Sequence, residues 1–502
     1  MGKTVLIGDD FSYGETQTYG RAIGNRRILR ALAHCASVDR ILLPGALPQS
    51  IDDELLARKL ESLPSAESVS KVLEAGEVAS IFCSDCVAKY PAWVELRNQL
   101  NVAVAVFGIT HSLSYQRFTA SFFHLLTTGA RPYDAILCSS ISGRDVIERL
   151  LDSVQENLQE DRGKPDLRLF PHPVEGPGIA MTEPQPKWND SDFHIAYLGR
   201  LDWRNKADLL PLFEVLRMLP KHARLTIAGL IDDQRYVELL QEKAAGLPID
   251  FWFDLSESEK WELLKNAHVL LSPSDNYQET YGLSILEAMS VGCVPVISDF
   301  DGYRDLVSHG ETGLLFKTVG APMPKALRAM QGIVDEIVYH GWWAGGLSYD
   351  LDNVASLLRG LVEDENKWST LSQNAFVDAK RYDIENSSQR LESVLFRDLD
   401  TNFDSSSDYS PFNWCPKDIF EKHPCAFWER QSVRVTEAGK DFLKNPRILE
   451  QMRILGGAVS PKNVHTCLRR LDDDGTVALY LWEGGEALTL SLCLKNGLIF
   501  LV

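Results

Sequence analysis

The sequence predicts an α/β protein with two doubly wound parallel-sheet domains and a small α+β unit at the C-terminal end. Three observations lead to this prediction. Apolar strands alternate with amphipathic helices over residues 1–172, the alternation restarts at Phe193 after a Pro- and Gly-rich stretch, and residues 412–502 follow an acidic, Ser-rich segment. Alternating strands and helices favour a parallel sheet covered by helices on both faces.

In the first domain, short apolar runs are the candidate strands and longer segments with a helical repeat are the candidate helices. The strands are predicted at 3–8, 39–43, 79–83, 102–107, 134–140 and 167–173. The helices are predicted near 18–34, 51–61, 90–99, 113–126 and 142–157. The domain is placed at residues 1–175, because Pro and Gly at 173–178 are typical of an interdomain linker.

The second domain is predicted over residues 190–383. Its strands are placed at 193–198, 224–229, 249–254, 268–273, 294–298 and 313–316. Residues 320–350 have the character of an insertion. Ligands of doubly wound sheets bind at the carboxyl ends of the strands, so two such domains facing each other place a site in the cleft between them.

Composition limits the classes of function. The chain has 502 residues, 45% of them hydrophobic, and no apolar run is long enough to span a bilayer. The first residues read as a strand and lack the apolar helix of a signal peptide. Nine scattered cysteines fit a reducing compartment, and the isolated pair Cys83 and Cys86 is read as plain thiols. A cytoplasmic protein is predicted, with peripheral contact at a membrane left open.

The charge is unevenly distributed. The formal net charge is −19, and residues 173–410 hold 38 acidic against 21 basic side chains. A chain this acidic lacks the electrostatic footprint of a nucleic-acid-binding protein, so nucleic acid is not predicted as the main partner. A phosphorylated ligand of the second domain would depend on local cations and helix ends.

The most informative segment joins the strand at 268–273 to a helix and carries two glutamates, Glu279 and Glu287. Gly282 provides a tight turn that brings the backbone close to a ligand. The start of the following helix suits a phosphate. Eight helical positions span roughly 12 Å. One carboxylate could therefore meet the sugar and the other the ribose of a nucleotide-sugar, since carboxylates accept hydrogen bonds from hydroxyl groups.

This segment resembles the Glu-x7-Glu signature of the retaining glycosyltransferases of family 4, which have the GT-B fold of two facing Rossmann-like domains. The stretches that carry the resemblance, in the family's order, are Pro273-Ser274, Tyr281-Gly282-Leu283, Leu286-Glu287-Ala288-Met289 and Val291-Gly292-Cys293-Val294-Pro295. There are two departures: residues 275–278 lengthen the loop before Glu279, and Tyr281 stands where phenylalanine is commoner.

The resemblance implies roles for these residues. Glu279 would position the donor sugar and Glu287 would hold the ribose. The helix at 384–400 would be the family's last helix, which crosses back onto the first domain. The remaining residues that it implies for donor binding are Gly199, Tyr281, Gly282, Leu283 and Ser284.

A second segment, Tyr197 to Lys206, resembles the family's Gly-Arg-Leu…Lys-Gly motif. By this resemblance Arg200 at the strand end and Lys206 at the start of the next helix contact the diphosphate. Two cations hold the negative charge that the diphosphate gains as the sugar departs. No metal is then needed. Ala207 replaces the usual Gly, and the alternative for both cations is an ordinary exposed surface position.

The first domain offers weaker signals. His111 matches a family histidine that faces the donor sugar, and a neutral histidine can donate to a sugar hydroxyl. Gly14 lies in a loop where relatives carry a Gly-rich turn near the phosphates. The next helix, 18–34, is rich in arginine and is read as a solvated basic face, with attraction of an anionic acceptor or a membrane surface as the alternative.

The sequence is therefore interpreted as a retaining, metal-independent glycosyltransferase that uses a UDP- or GDP-linked sugar and no other cofactor. Its acceptor is left open among a glycan, a small molecule, a lipid and a protein. A nucleotide-sugar epimerase or hydrolase of the same fold is the second interpretation. A non-catalytic nucleotide-sugar-binding scaffold is the third, and the presence of all four charged anchors counts against it.

Residues 412–502, after a linker at 401–411, are predicted to form a winged-helix-like unit. Helices are expected near 439–454 and 460–471, and strands near 476–482 and 486–501. Its near-neutral charge lacks the footprint of DNA binding. Self-association to a homo-oligomer, or docking of an acceptor protein, is the predicted role, with the apolar strands as a pairing edge.

Overall fold

The computed structural model describes most of the chain up to residue 396 and parts of the C-terminal unit. The described residues are 2–9, 20–45, 47, 51, 53–159, 163–176, 192–396, 432–444, 461–475 and separate positions between 477 and 501.

The first domain is a seven-stranded parallel sheet with helices on both faces. The strands at 80–83, 105–109 and 135–138 are buried along their whole length, as expected where both faces of a sheet are covered. In chain order its elements are β1 (Lys3–Ile7), α1 (Gly20–His34), β2 (Val38–Pro44), α2 (Glu54–Lys59), β3 (Leu60–Leu63), α3 (Ala66–Glu74), β4 (Ser80–Cys83), α4 (Tyr90–Gln99), β5 (Ala105–Ile109), α5 (Phe118–Thr128), β6 (Ala135–Cys138), α6 (Ile141–Leu158) and β7 (Asp166–Leu169).

The second domain repeats this architecture with a second seven-stranded sheet. Its elements are β8 (Phe193–Leu198), α7 (Leu210–Arg217), β9 (Ala223–Gly229), α8 (Gln234–Lys243), β10 (Ile249–Phe253), α9 (Glu257–Asn266), β11 (Val269–Ser272), α10 (Leu283–Met289), β12 (Val294–Asp299), α11 (Tyr303–Leu306), β13 (Leu314–Gly320), α12 (Lys325–Arg328), α13 (Glu336–Ala344), β14 (Leu347–Tyr349), α14 (Leu351–Val362), α15 (Glu365–Ala379) and α16 (Ile384–Phe396).

Both sheets have the Rossmann strand order. The first runs β3-β2-β1-β4-β5-β6-β7 and the second β10-β9-β8-β11-β12-β13-β14. The order reverses between β1 and β4 in one sheet and between β8 and β11 in the other, and such switch points open a crevice at the carboxyl ends of the strands. The fold therefore provides a crevice in each domain for the residues that follow these four strands.

The last helix of the second domain, α16, packs on the first domain. Leu391 and Leu395 join the same apolar core as Ile28 of α1. Glu392 accepts hydrogen bonds from the backbone N–H groups of Ala36 and Ser37 at 3.0 and 3.1 Å. The chain therefore returns to its starting domain and ties the two domains together.

The segment between β13 and β14 forms the predicted insertion. These strands pair antiparallel, and residues 321–346 between them contain α12 and α13. This insertion contacts the first domain. Its Glu336 pairs with Arg117 of the first domain at 2.6 Å, and its His340 ring packs edge-on against Tyr115 with 4.9 Å between the ring centroids. The insertion thus closes one side of the interdomain cleft.

Two elements of the first domain differ from the sequence prediction. The helix expected at 51–61 ends at Lys59, because Leu60 begins β3 and pairs with β2. The helix expected from residue 113 begins only at Phe118. The residues before it face the second domain, where the Ser112 hydroxyl donates to the backbone oxygen of Gln278 at 2.9 Å. At both places, contacts with residues distant in the sequence therefore decide the backbone conformation, against the local helical pattern.

The C-terminal unit is a small antiparallel sheet packed on helices. The described elements are β15 (Ser432–Val435), α17 (Glu437–Lys444), α18 (Pro461–Asp474), β16 (Val477–Ala478) and β17 (Ile499–Leu501), with the strand order β16-β15-β17.

The strand predicted at 486–501 is wrong over its first half. The described positions 486, 489, 490 and 493 are helical, and strand appears only at β17. Leu490 and Cys493 are buried in the unit's core, and a spacing of three places them on one helix face. Thr489 and Leu490 are therefore not part of the expected pairing edge, and residues 488, 491 and 492 lie outside the described residues. The rest of the other expected edge, residues 479–482, lies outside the described residues.

A buried ion pair in the first domain leads to a prediction about stability. Arg97 of α4 pairs with Asp134 at 2.6 Å, and both side chains are fully buried. Changing Arg97→Met leaves a buried carboxylate without its counter-charge, which costs about 3–5 kcal/mol. Urea unfolding should therefore show a large loss. The matched change Arg40→Met breaks an exposed pair with Glu61 and should cost less than about 1 kcal/mol. Equal losses in the two variants would contradict the assignment.

Candidate active site

A cleft of about 650 Å³ lies between the two sheets. This volume is in the usual range for a small-molecule site. Residues from both domains line it, and they include almost every site residue predicted from the sequence. The predicted residues in its wall are His111, Gly199, Arg200, Lys206, Glu279, Tyr281, Gly282, Leu283, Ser284 and Glu287. Gly14 lies outside the described residues.

Glycines shape the loops that follow the strands of the second domain. Gly229 at the end of β9 has a φ of +152°, and a Cβ there would lie 1.7 Å from the backbone oxygen of Gly199. Gly282 has a φ of +101° immediately before α10, where a side chain would meet the ring of Tyr303. Any larger residue would therefore push these loops apart or into the cleft.

Lys206 and Glu279 form an ion pair at the floor of the cleft, with side chains only 18% and 14% exposed. Tyr303 also donates to the Glu279 carboxylate, at 3.4 Å. Burial opposes ionisation of Glu279, but the charges of Lys206 and Arg200 more than compensate and lower the pKa of Glu279 below its usual value. The site therefore holds an ionised carboxylate next to two cations.

The backbone around Lys206 differs from the prediction. Lys206 lies in a turn, and the next helix, α7, begins four residues later at Leu210. The reason is Asp202, whose carboxylate accepts from the Arg204 backbone N–H at 2.8 Å and from the Asn205 side chain at 2.7 Å. Such side-chain bonds to nearby groups compete with helix formation. The turn directs Lys206 towards Glu279.

Arg200 follows β8 and is 38% exposed at its side chain. It pairs with Asp232 at 3.0 Å and lines the same cleft. Arg200 therefore borders the cleft together with Lys206, and its charge acts on Glu279.

Glu287 also lines the cleft and is 4% exposed. Its Oε1 accepts from Arg27 Nη2 at 2.5 Å and from Lys260 Nζ at 3.0 Å. Burial raises the pKa of Glu287, but these two cations outweigh burial and leave the pKa below its usual value. Neither cation was predicted as a site residue. The helix carrying Arg27 was read as a solvated basic face, and this is wrong for Arg27, which is 4% exposed.

His111 has a fixed tautomer. Its Nε2 lies 2.9 Å from the backbone oxygen of Ser84 and 3.0 Å from Asn25 Oδ1. A carbonyl oxygen only accepts, so Nε2 carries the proton and Nδ1 is an acceptor. Burial lowers the pKa of His111 to about 3, so the ring is neutral near pH 7. The expectation that His111 donates to a sugar hydroxyl is corrected here, because its N–H group is already used within the protein.

Gln278, next to Glu279, joins three parts of the structure. Its Nε2 donates to Asn205 Oδ1 at 2.7 Å and to His340 Nδ1 at 2.8 Å, and its Oε1 accepts from the Tyr115 hydroxyl at 3.1 Å. Tyr115 belongs to the first domain, His340 to the insertion and Asn205 to the turn before Lys206. The network holds the Glu279 loop against both domains. Nothing local in the sequence signalled it.

In the part of the chain that the structure describes, no group of three His, Cys, Asp or Glu side chains is arranged to hold a metal ion. Cys83 and Cys86 are buried free thiols. Among the described helices, none has the length and apolar character needed to cross a membrane.

Two facing Rossmann-like domains with a cleft at their strand ends define the GT-B class of fold, and solved structures support this assignment. Sucrose-phosphate synthase from Thermosynechococcus elongatus superposes with a TM-score of 0.55 at 17% identity, covering 80% of this chain and 99% of that one. HepE from Anabaena in complex with UDP gives 0.52 at 15% identity, covering 79% and 100%. At this identity the likeness shows the fold alone.

Sequence comparison adds a narrower finding. Residues 180–324 match the family model of glycosyl transferases group 1, so the second domain contains a glycosyltransferase group 1 domain. A GDP-Man:Man(3)GlcNAc(2)-PP-Dol alpha-1,2-mannosyltransferase from Dictyostelium discoideum is 30% identical over 128 residues, or 24% of this chain and 25% of the relative. Sulfoquinovosyl transferase SQD2 from Arabidopsis thaliana is 32% identical over 125 residues, or 24% and 23%. The match spans about a quarter of each curated relative.

Asp301, beside Glu279, gives a pH prediction. It has a φ of +46°, its Oδ1 is buried without a partner in the described structure, and burial raises its pKa to about 7. The protonated form is therefore favoured in the folded state. This contribution to stability is complete below about pH 4 and is lost as the pH rises towards 7.

The change Asp301→Asn removes this titration, and Asn tolerates a positive φ. The variant should match the wild type at pH 4 and exceed its free energy of unfolding by roughly 2–4 kcal/mol at pH 8. Denaturant unfolding across this range measures the difference. The control is Asp299→Asn, at an exposed carboxylate paired with Arg304, which should follow the wild-type profile. A pH-independent effect of Asp301→Asn would contradict the prediction.

Proposed function

We propose that this protein is a retaining glycosyltransferase of family 4, which transfers a sugar from a nucleoside-diphosphate donor to an acceptor hydroxyl. The observation that carries this proposal is the convergence of Arg200, Lys206, Glu279 and Glu287 on one cleft. Arg200 and Lys206 lie in the segment after β8, whereas Glu287 belongs to α10, so the cleft offers both cations for a diphosphate and a carboxylate for the ribose hydroxyls of a donor. The group 1 domain match supports the same reaction class.

The chemistry follows from the charges. As the bond to the sugar breaks, the leaving diphosphate gains negative charge, and Arg200 and Lys206 stabilise it. Lys206 forms an ion pair with Glu279. A bound diphosphate would take over Lys206, and Glu279 would then turn to the hydroxyl groups of the sugar. The two cations supply the counter-charge that a divalent metal provides elsewhere, so the proposed reaction is metal-independent.

Retention is proposed to occur by substitution at one face of the sugar, where the leaving diphosphate takes the proton of the acceptor hydroxyl. No protein nucleophile is required. The neutral His111, whose free Nδ1 is an acceptor, would receive a hydrogen bond from a hydroxyl of the donor sugar. The first domain and the insertion then form the acceptor side of the cleft, and domain closure excludes water.

The donor is proposed to be UDP- or GDP-linked. The neighbour HepE was solved with UDP and with UDP-glucose, and the relative from Dictyostelium discoideum is named for a GDP-mannose donor. A screen of nucleoside diphosphates for thermal stabilisation decides between them, because a ligand at 100 times its dissociation constant adds about 2.7 kcal/mol.

The proposed contacts of Arg200 and Lys206 with the diphosphate give a kinetic prediction. Arg200→Ala and Lys206→Ala should each reduce kcat/KM by the equivalent of roughly 2–4 kcal/mol of transition-state stabilisation. Arg204→Ala is the matched control, because Arg204 pairs with Asp202 and Asp233 and does not line the cleft. Unchanged kinetics in the first two variants would contradict the proposed role of Arg200 and Lys206. Loss of activity on adding a chelator would contradict a metal-independent reaction.

The two glutamates should separate kinetically. Glu287→Ala should mainly raise the KM for the donor, because contacts to the ribose change little during the reaction. Glu279→Ala should also lower kcat, because the sugar gains oxocarbenium character. Steady-state kinetics with the donor identified by the screen tests this difference, and identical behaviour of the two variants would argue against divided roles.

A further inference from the structure

The ion pair between Lys206 and Glu279 joins two segments that lie outside helices and strands. The lysine segment, residues 204–208, precedes α7, and the glutamate segment, residues 275–279, follows β11. Neither segment has the regular hydrogen bonds of a helix or strand, so its backbone must find partners elsewhere. The contacts between the two segments therefore fix how Lys206 and Glu279 meet.

Amide side chains form two of the hydrogen bonds that join these segments. Asn276 Nδ2 donates to the backbone oxygen of Arg204. Gln278 Nε2 donates to the Asn205 side chain at 2.7 Å. An amide group carries no charge that changes with pH, so neither bond depends on the pH of the solution.

Asp275 forms the third bond, the one among these three that involves a titratable group. Its Oδ2 accepts from the backbone N–H of Asp208 at 3.3 Å. Asp275 is 7% exposed, and its Oδ1 is buried without a hydrogen-bond partner in the described structure. An ionised carboxylate in this place would be withdrawn from water with most of its acceptor positions unfilled, a cost that the neutral carboxyl group avoids.

The groups that face Asp275 also favour its neutral form. Asp208 faces it from the lysine segment, and the Asp208 carboxylate accepts from the Tyr236 hydroxyl at 3.0 Å. Tyr197 of β8 and Tyr349 of β14 face it from the sheet, and burial together with nearby carboxyl groups raises the pKa of both tyrosines. None of these groups is a cation. Burial and, after it, the charge of Asp208 raise the pKa of Asp275 to about 8.

We propose that Asp275, as a neutral carboxyl group, is a positioning residue that holds the lysine segment against the glutamate segment. Asp275 is not among the residues that line the cleft, so it acts through Lys206 and Glu279. Ionisation places a second negative charge against Asp208 and separates the segments at this end. Donor binding then weakens in mildly alkaline solution, a consequence that rests on the proposed function, whereas the contact between the segments does not.

Hydrogen exchange tests the contact without any ligand. Exchange of the backbone amides of residues 204–208 is followed in the full chain at pH 7 and pH 9, corrected for the intrinsic rate at each pH. Protection in the wild type should fall roughly tenfold, because one pH unit above its pKa about a tenth of a carboxyl group remains neutral. Asp275→Asn keeps an acceptor oxygen and cannot ionise, so its protection should stay constant within about twofold.

A second variant removes the acceptor altogether. Asp275→Ala cannot accept from the Asp208 N–H group, so residues 204–208 should exchange faster than in the wild type at pH 7 and show no further loss at pH 9. Constant protection in the wild type between the two pH values, or wild-type protection in Asp275→Ala at pH 7, would overturn the inference.

The affinity for UDP and GDP tests the consequence for the site. Titration calorimetry should show that the wild type binds its nucleotide roughly tenfold more weakly at pH 9 than at pH 7. Asp275→Asn should bind equally at both within about twofold. Asp299→Asn, at an exposed carboxylate paired with Arg304, is the control and should keep the wild-type loss.

Two results separate this inference from its alternatives. If the alkaline loss disappears in Asp301→Asn and persists in Asp275→Asn, then Asp301 is the titrating group and the role of Asp275 is overturned. If neither nucleotide binds the wild type at either pH, the proposed function fails, and the exchange measurement still decides whether Asp275 holds the two segments together.

Discussion

The arrangement of the site depends on buried charge that must be neutralised across a domain boundary. Glu279 and Glu287 are both withdrawn from water, and each is ionised because cations lie beside it. Removing one partner from such a buried pair is far more costly than breaking an exposed one. For Glu287 one of these cations belongs to the other domain. The charge balance at Glu287 therefore depends on how the two domains are placed relative to each other.

The geometry of the two parallel sheets is the second constraint on the site. Parallel sheets with the same strand order place their switch points at the carboxyl edges, and here the two edges face each other. Within the second sheet, the ends of β8 and β9 lie close together, which is why Gly199 and Gly229 stand where no side chain fits. The insertion and α16 then bind one domain to the other. A rigid scaffold thus presents loops that carry the chemistry, as in other proteins whose sites lie on connecting segments.

The sequence predicted the fold well because its signals were local. Strand–helix alternation, the linker and the Gly282 turn can each be recognised within a few residues, and the two sheets formed as expected. The errors arose where a local pattern met a distant partner. Leu60 joined a strand instead of extending a helix, residues before Phe118 faced the second domain, and Leu490, predicted in a strand, lies in a helix.

The sequence by itself determined which residue types follow the strands, and the resemblance of its motifs to the family predicted that Arg200, Lys206, Glu279 and Glu287 would share one cleft. Tertiary structure alone decided their partners. Arg27 and Glu287 are separated by 260 positions, and Gln278 and His340 by 62. The periodicity and spacing of residues in the sequence do not predict such a pair, because the contact exists only after the two domains have folded and packed together. The same arginine helix that reads as a solvated face in the sequence therefore supplies a buried residue of the site.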